Sequence, residues 1–201
     1  MIVAIVPAAG LSRRMGRPKP LLEIGGMSLI ARVVSALRDG GADRVIVVTP
    51  PAERAESTAI VRQAQEQGAE VVVLDRETAD MRASIEAGMD RVGDWESVEA
   101  ILLAPADVPG IEADLVARVI GAGRDQSTIA RLRAGTKRGH PVYLPKDVAQ
   151  EIRALPEGLG VNALVDDPGR RVAEVEVEDG DSLGDVDTPE DYRRWTTSGG
   201  S

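Results

Sequence analysis

Four short runs of aliphatic residues without a polar face constrain this chain more tightly than any other feature. They are Ile2 to Val6 (IVAIV), Arg44 to Thr49 (RVIVVT), Glu70 to Leu74 (EVVVL) and Ala100 to Ala104 (AILLA). A strand with one wet face alternates apolar and polar residues. An unbroken apolar run instead requires neighbours on both faces, as in the interior of a parallel sheet. The segments between the runs carry helical periodicity. Ser28 is placed to cap a helix in which Leu29, Ile30, Val33, Val34 and Leu37 share one face until Gly40-Gly41 stops it. Ala52 to Gln67 reads as a polar amphipathic helix ended by Gly68, and Met81 to Val92 as a third helix. This alternation implies βαβ units, hence an α/β chain whose mostly parallel sheet is covered by helices on both faces.

Past residue 125 the rhythm changes. Ser127 to Leu132 and His140 to Leu144 look like two strands joined by the turn Gly135 to Gly139, which predicts a small antiparallel part in the second half. A helix near Lys146 to Leu155, a strand at Arg171 to Val177 and a last short helix complete the pattern. That helix opens at Thr188 as cap, with Pro189 in its first position.

Aromatic residues make up only 2% of the sequence, so the core has to be built from Val, Ile, Leu and Ala. There are no cysteines, which excludes disulfides, thiolate metal sites and cysteine nucleophiles. The single histidine, His140, excludes any site that needs two. A net charge of −9 offers no basic stripe to a nucleic-acid backbone. Within that acidic background Arg13, Arg14, Arg17 and Lys19 gather in one short stretch, a pattern suited to a small anionic ligand. No apolar run is long enough for a signal sequence or a membrane span. A soluble, cytoplasmic protein is expected, with neither nucleic acid nor membrane as a partner.

The basic stretch follows the first strand directly, as Ala8-Ala-Gly-Leu-Ser-Arg-Arg-Met-Gly-Arg-Pro-Lys19. Ligands of open α/β sheets sit at the carboxyl ends of the strands, which is where this loop lies. Small residues at 8–10 let backbone N–H groups approach an anion closely, and Arg14 and Lys19 add full charges. The spacing is not that of a P-loop, because no Gly-Lys-Ser/Thr follows, nor that of the G-x-G-x-x-G dinucleotide fingerprint. A surface turn with solvated basic residues is the plainer alternative.

Two acidic clusters accompany the loop. The fourth apolar run ends in Pro105-Ala-Asp-Val-Pro109, which fixes Asp107 between prolines at a strand's carboxyl end. That position suits a metal ion or, more simply, a cap for the helix that starts near residue 112. Later, Leu183-Gly-Asp-Val-Asp-Thr-Pro-Glu-Asp191 places Asp185 and Asp187 on one side of an extended segment and Val186 on the other. Two carboxylates on one face repel unless a cation or base lies between them. Glu190 and Asp191 read as first-turn acids that favour the helix dipole.

These segments resemble the MobA-like nucleoside triphosphate transferases, whose opening signature, roughly (A/G)-(A/G)-G-x-S-x-R-M-G-x-x-K, is matched by AAGLSRRMGRPK. The Ala-Ala-Gly start is more similar to the molybdenum cofactor cytidylyltransferase branch than to the guanylyltransferase branch, which more often carries Gly-Gly. The resemblance implies a three-layer αβα Rossmann-like nucleotidyltransferase fold of the nucleotide-diphospho-sugar transferase type. It implies a single domain over 1–195, with a nucleotide-binding half (1–110) and an acceptor-binding half (111–195), then a flexible tail over 196–201. It assigns Ala8, Ala9, Gly10, Leu11, Ser12, Arg13, Arg14, Gly16 and Lys19 to the nucleotide and Asp107 to Mg2+, with one of Asp185 and Asp187, preferably Asp187, completing the metal site.

Asp80-Met-Arg-Ala-Ser-Ile-Glu-Ala-Gly88 is similar to the family's G-M-x-x-S-x-x-x-G and brings Met81, Ser84 and Gly88 to the nucleotide, with Asp80 departing from the usual Gly. Gly139-His-Pro-Val142 is similar to the G-H-P motif of the cytidylyltransferase branch and assigns His140 to the acceptor. That branch usually continues with G-D-x-G-A-R. Here Glu157 to Ala163 (EGLGVNA) places Asn162 where the Arg is expected, which removes a bidentate phosphate ligand and weakens the case for molybdopterin as acceptor. The implied reaction is transfer of a nucleoside monophosphate, CMP from CTP by preference and otherwise GMP from GTP, to a small phosphorylated acceptor. Arg14, Lys19 and Asp107 carry catalysis, Mg2+ is the cofactor and pyrophosphate is released. A transient contact with a cofactor-accepting enzyme belongs to the same reading. The rivals are a guanylyltransferase, a sugar-1-phosphate or phosphocholine nucleotidyltransferase, and a nucleotide-binding accessory protein without turnover.

Overall fold

The run Ile2–Pro7 forms β1, third in order across a seven-stranded sheet in the computed structural model, which describes residues 1–198 apart from Leu11, Arg13, Ala79, Ser127, Asp179, Asp181 and Ser182. In chain order the elements are a small hairpin of β2 (Glu23–Ile24) and β3 (Met27–Ser28), α1 (Leu29–Asp39), β4 (Arg44–Thr49), α2 (Ser57–Glu66), β5 (Glu70–Val73), α3 (Met81–Arg91), β6 (Ala100–Leu103) and α4 (Ala113–Gln126). Then come β7 (Ile129–Ala134), β8 (Lys137–Pro145), α5 (Lys146–Gln150), α6 (Asn162–Val165), β9 (Val172–Glu176) and α7 (Pro189–Ser198). The sheet runs β5-β4-β1-β6-β8-β7-β9. β1 pairs in parallel with β4 and β6, β4 with β5, and β7 with β9. β8 alone runs against its neighbours.

The apolar runs need no polar face because the strand's period of two sends successive side chains to two separate cores. From β1, Ile2, Ala4 and Val6 enter a layer with Val33, Val34 and Leu37 of α1, Ile60 of α2 and Val116 and Val119 of α4. Val3 and Ile5 enter the opposite layer with Ile85 and Met89 of α3, Ala149 of α5 and Leu164 of α6. The result is the expected three-layer αβα arrangement with a mostly parallel sheet. Ser28 caps α1 as its position suggested, its side chain accepting from Ala31 N at 3.3 Å. No helix among the described residues is long and apolar enough to cross a membrane.

Several boundaries differ from the sequence expectation. α2 starts at Ser57 instead of Ala52, because the chain after Pro51 turns back through Arg54 N to Pro51 O and Ser57 N to Arg54 O, both 3.0 Å. The hairpin between β7 and β8 closes at Gly135-Thr136, since Gly135 adopts φ +58 and permits a two-residue reversal, so Lys137 to Gly139 join β8. The helix expected over 146–155 is α5 followed by a 3-10 segment, Glu151–Ala154. α7 continues through Ser198, with Thr196 Oγ1 donating back to Tyr192 O, so residues 196–198 are helical. The remainder of the expected tail, like the first residue of the expected strand from Ser127, lies outside the described residues.

Candidate active site

Three segments far apart in sequence meet beyond the carboxyl ends of β1 and β6. The loop after β1 is held by its own backbone. Ala8 N donates to Val48 O at 2.8 Å, and Ser12 O accepts from Met15 N and Gly16 N at 3.0 and 3.2 Å. Ser12 Oγ accepts from Lys19 N at 3.1 Å. Ser12 itself stands at φ +46, a left-handed conformation that costs a non-glycine residue roughly 1–2 kcal/mol and is tolerated where surrounding bonds over-determine it. Met15 pins the loop's far side in a small apolar cluster with Leu22, Ile24, Leu29 and Val186. Val186 belongs to the acidic Asp185-Val-Asp187 segment, and its N–H donates to Asp107 O at 2.9 Å. One buried valine thus ties the loop, the post-β6 turn and the late acidic segment together. The flanking Asp185 and Asp187 turn the other way and line one cavity, as their spacing required.

The charges meet at Lys19. Its Nζ lies 2.8 Å from Asp107 Oδ2 and 2.5 Å from Asp187 Oδ1, while Arg14 reaches Asp187 Oδ2 at 2.8 Å. Burial opposes the lysine's charge, but the hydrogen bonds and attraction of Asp107 and Asp187 outweigh it and hold the ammonium above its ordinary value. The hydrogen bond from Lys19, aided by Arg14, pulls the Asp187 carboxyl below the usual range despite partial desolvation. Asp185 behaves oppositely. Its rim meets solvent, but desolvation in the cleft and the charges of Asp107 and Asp187 push its carboxyl up to about 6.

An all-oxygen donor set of this kind suits a hard divalent cation. Among the described residues no three carboxylate or histidine side chains converge closely enough to form a closed metal site. The fit is therefore to an open site in which one or two carboxylates share the ion with substrate phosphates, the usual way Mg2+ is held. Asp185, raised first by desolvation and then by Asp107 and Asp187, has no cation at contact distance among the described residues.

Two adjoining cavities open here. One, of about 360 Å³, is bordered by Ala8, Ala9, Gly10, Ser12, Lys19, Met81, Ser84 and Asp107. The other, of about 620 Å³, takes in Arg14, His140, Asn162, Asp185 and Asp187. Gly10, Lys19, Met81 and Asp107 border both. Most of the expected site residues are thus brought together. Leu11 and Arg13 lie outside the described residues. Gly16, at φ +64, shapes the loop without bordering either cavity. Gly88 faces the sheet, where a Cβ would meet Ile5 Cγ2 at 2.6 Å, so it serves the packing of α3 on β1, and it borders neither cavity.

Asp80, which departs from the family's usual glycine, is the N-cap of α3, its Oδ1 accepting from Ala83 N at 2.9 Å. His140 turns Nδ1 toward Leu103 O at 3.3 Å, and burial lowers its basicity, which leaves a neutral ring with Nε2 as an acceptor. Two residues escaped the sequence reading. Thr78 hydrogen-bonds Ser84 across the smaller cavity at 3.2 Å. Arg82 NH1 donates to the carbonyls of Leu155, Pro156 and Leu159 at 3.0, 2.8 and 3.1 Å, clasping the segment that carries Asn162. No local signal distinguishes Arg82 from any helical arginine, because its partners are main-chain atoms far along the chain.

A basic loop and paired acids thus stand at the strand ends of an αβα sheet, where the ligands of open α/β folds sit. The chain belongs to the MobA-like NTP transferase domain family, whose model matches residues 4–174. It is 30% identical over 172 residues to the 2-C-methyl-D-erythritol 4-phosphate cytidylyltransferase of Saccharopolyspora erythraea, covering 82% of this chain and 68% of that one. It is 33% identical over 144 residues to the molybdenum cofactor guanylyltransferase of Rhodopseudomonas palustris, covering 69% and 63%. It is 31% identical over 209 residues to the phosphoenolpyruvate guanylyltransferase of Rubrobacter xylanophilus, covering 99% and 95%. The chain thus spans about two thirds of the first two relatives and nearly all of the third. A solved manganese complex of Rv0371C from Mycobacterium tuberculosis H37Rv superposes with a TM-score of 0.77 at 28% identity, covering 98% of each chain.

Proposed function

We propose that this protein transfers a nucleoside monophosphate, CMP from CTP by preference, to a small phosphorylated acceptor. The observation that carries the reading is the convergence of Lys19 with Asp107 and Asp187 where the two cavities join. The smaller cavity, in the half spanning 1–110, receives the nucleotide. The larger, completed by residues of 111–195, receives the acceptor. An acceptor phosphate oxygen attacks the α-phosphorus, and the bond from that phosphorus to the bridging oxygen breaks. Pyrophosphate leaves with the bonding pair, and the product is a diphosphate whose new P–O–P anhydride bridge joins the nucleoside to the acceptor. An ionised phosphate nucleophile needs no general base, which accords with a site whose one histidine is neutral and hydrogen-bonded to backbone.

Lys19 and Arg14 exchange their carboxylate partners for triphosphate oxygens and neutralise the charge that develops on the leaving group. Mg2+ would be held by Asp107 with Asp185 or Asp187 and supply Lewis-acid neutralisation of the phosphates. Asp187 already serves two cations, whereas the raised Asp185 carboxyl has none at contact distance among the described residues, so Asp185 supports metal binding at least as well as Asp187.

Cytidylyl transfer is supported by the Ala-Ala-Gly loop and by one relative's name. Guanylyl transfer is the second reading, favoured by the names of the other two. Molybdopterin remains one candidate acceptor, with delivery to a cofactor-accepting enzyme as its corollary, and a cytoplasmic setting accompanies it. Pyrophosphate release should be measured with each of the four triphosphates and a panel of phosphorylated acceptors, with Mg2+ and with chelator. Release with CTP that depends on both metal and acceptor is expected. Tight triphosphate binding without release for any pair would favour a non-catalytic binder.

A further inference from the structure

We propose that the acceptor is a phosphomonoester whose remaining body is uncharged and partly apolar, and that acceptors with a second anionic group are rejected. The inference rests on the nucleotidyl-transfer reading of the same site and narrows its substrate class. It starts from the wall of the larger cavity. Beyond the loop, that wall is built from Ile85, Val142, Leu159, Val161 and Val165, with Met81 at the rim. Leu159 and Met81 are 45% and 56% exposed and leave apolar surface at the mouth of this cleft, as ligand pockets commonly do.

Each cation that borders this cavity, among the described residues, already has a partner, and the two at the loop turn to the triphosphate when it binds. Arg14 and Lys19 stand at the phosphate end, paired with Asp187 and Asp107. Arg82 spends NH1 on three carbonyls and pairs Nε with Glu86 at 3.1 Å. His140 is neutral and donates from Nδ1. The fixed charges left over are negative: Asp80, and whichever of Asp185 and Asp187 does not hold Mg2+. A carboxylate on the acceptor body would be desolvated against leucine and valine and repelled by these acids, and no unpaired cation among the described residues stands beside that wall to offset either cost. Asn162 and the free Nε2 of His140 can still orient hydroxyl, amide or ring N–H groups without demanding charge.

The test is a matched set of probes titrated calorimetrically into protein loaded with Mg2+ and a non-hydrolysable CTP analogue. Phenyl phosphate stands for an uncharged apolar body, and phosphoenolpyruvate for one with a carboxylate. Phenyl phosphate is expected to bind at least about tenfold tighter than phosphoenolpyruvate. Leu159→Lys, which places a cation on the exposed wall, should raise phosphoenolpyruvate affinity about tenfold. Equal or tighter binding of phosphoenolpyruvate by the native protein overturns the inference. So does a Leu159→Lys protein whose preference is unmoved, or the failure of both probes to bind at millimolar concentration. Pyrophosphate release from the same mixtures, with CTP replacing the analogue, is scored separately. The expected ranking without release refutes turnover and leaves the pocket's selectivity standing.

Discussion

At Lys19 one ammonium serves two carboxylates at 2.8 and 2.5 Å, and a bound triphosphate has to break into that arrangement. Lys19→Ala therefore removes both the proposed leaving-group cation and the partner of Asp107 and Asp187. Turnover should fall roughly 10²- to 10³-fold, the usual cost of losing one such donor, and steady-state pyrophosphate release measures it. A variant with near-native turnover would dismiss the assignment. Asp185 allows a second prediction at this scale. Its carboxyl sits at about 6 against an ordinary 3.8, so the native state binds its proton more readily than the unfolded chain does. Native stability accordingly falls as pH rises from about 3.8 to 6 and stays reduced above that. Asp185→Asn should relieve this at neutral pH without metal. After discounting for solvent screening at an exposed rim, the gain is about 1 kcal/mol, or roughly 2–4 °C in Tm by calorimetry. The same change should weaken Mg2+-dependent activity. A Tm that falls or stays put in metal-free buffer would show that the crowding of charge is absent.

At the scale of elements, α3 shows how packing and function divide along one helix. Asp80 caps its start, Met81 and Ser84 border the smaller cavity, and Gly88 presses against β1 one turn beyond. A methyl group at 88 would stand 2.6 Å from Ile5 Cγ2 and 3.2 Å from Val48 Cγ2, both on central strands that cannot yield easily. Gly88→Ala should cost about 1–3 kcal/mol in urea unfolding and raise the KM for triphosphate by lifting the cavity wall, while the metal requirement stays unchanged. Native-like stability would mean that the helix stands further from the sheet. The sequence correctly marks this glycine as a place of close approach. It cannot say what approaches, since a ligand and a sheet require the same missing Cβ. The hairpin is a similar case. Two strands and a glycine turn are legible, but the register comes from the φ +58 at Gly135, which fixes a two-residue reversal.

For the whole molecule, the cavities and the acidic floor exist only in the folded state, so ligands that occupy them stabilise it by mass action. Mg2+ with CTP at about 100 times Kd should add about 2.7 kcal/mol, a rise of roughly 5–10 °C in Tm that chelator reverses. Stabilisation by CTP that is indifferent to chelator would remove the metal from the nucleotide site. What this chain determines by itself is considerable. Apolar runs without polar faces dictate strands buried on both sides, their alternation with amphipathic helices dictates parallel order, and the loop after Val6 together with Asp107, Asp185 and Asp187 announces phosphate chemistry. Those are local consequences of side-chain period and charge, readable wherever the chain happens to go. Tertiary structure alone decided that Met15 and Val186 share one apolar cluster and so bring residues 19, 107 and 187 within hydrogen-bond reach. It also committed Arg82 to the backbone of a distant loop, left Leu159 and Met81 bare at the larger cavity, and turned Gly88 toward the sheet. The reason is common to all of these. Each depends on which groups meet across the chain, and buried contact between distant segments leaves no periodic trace in either one.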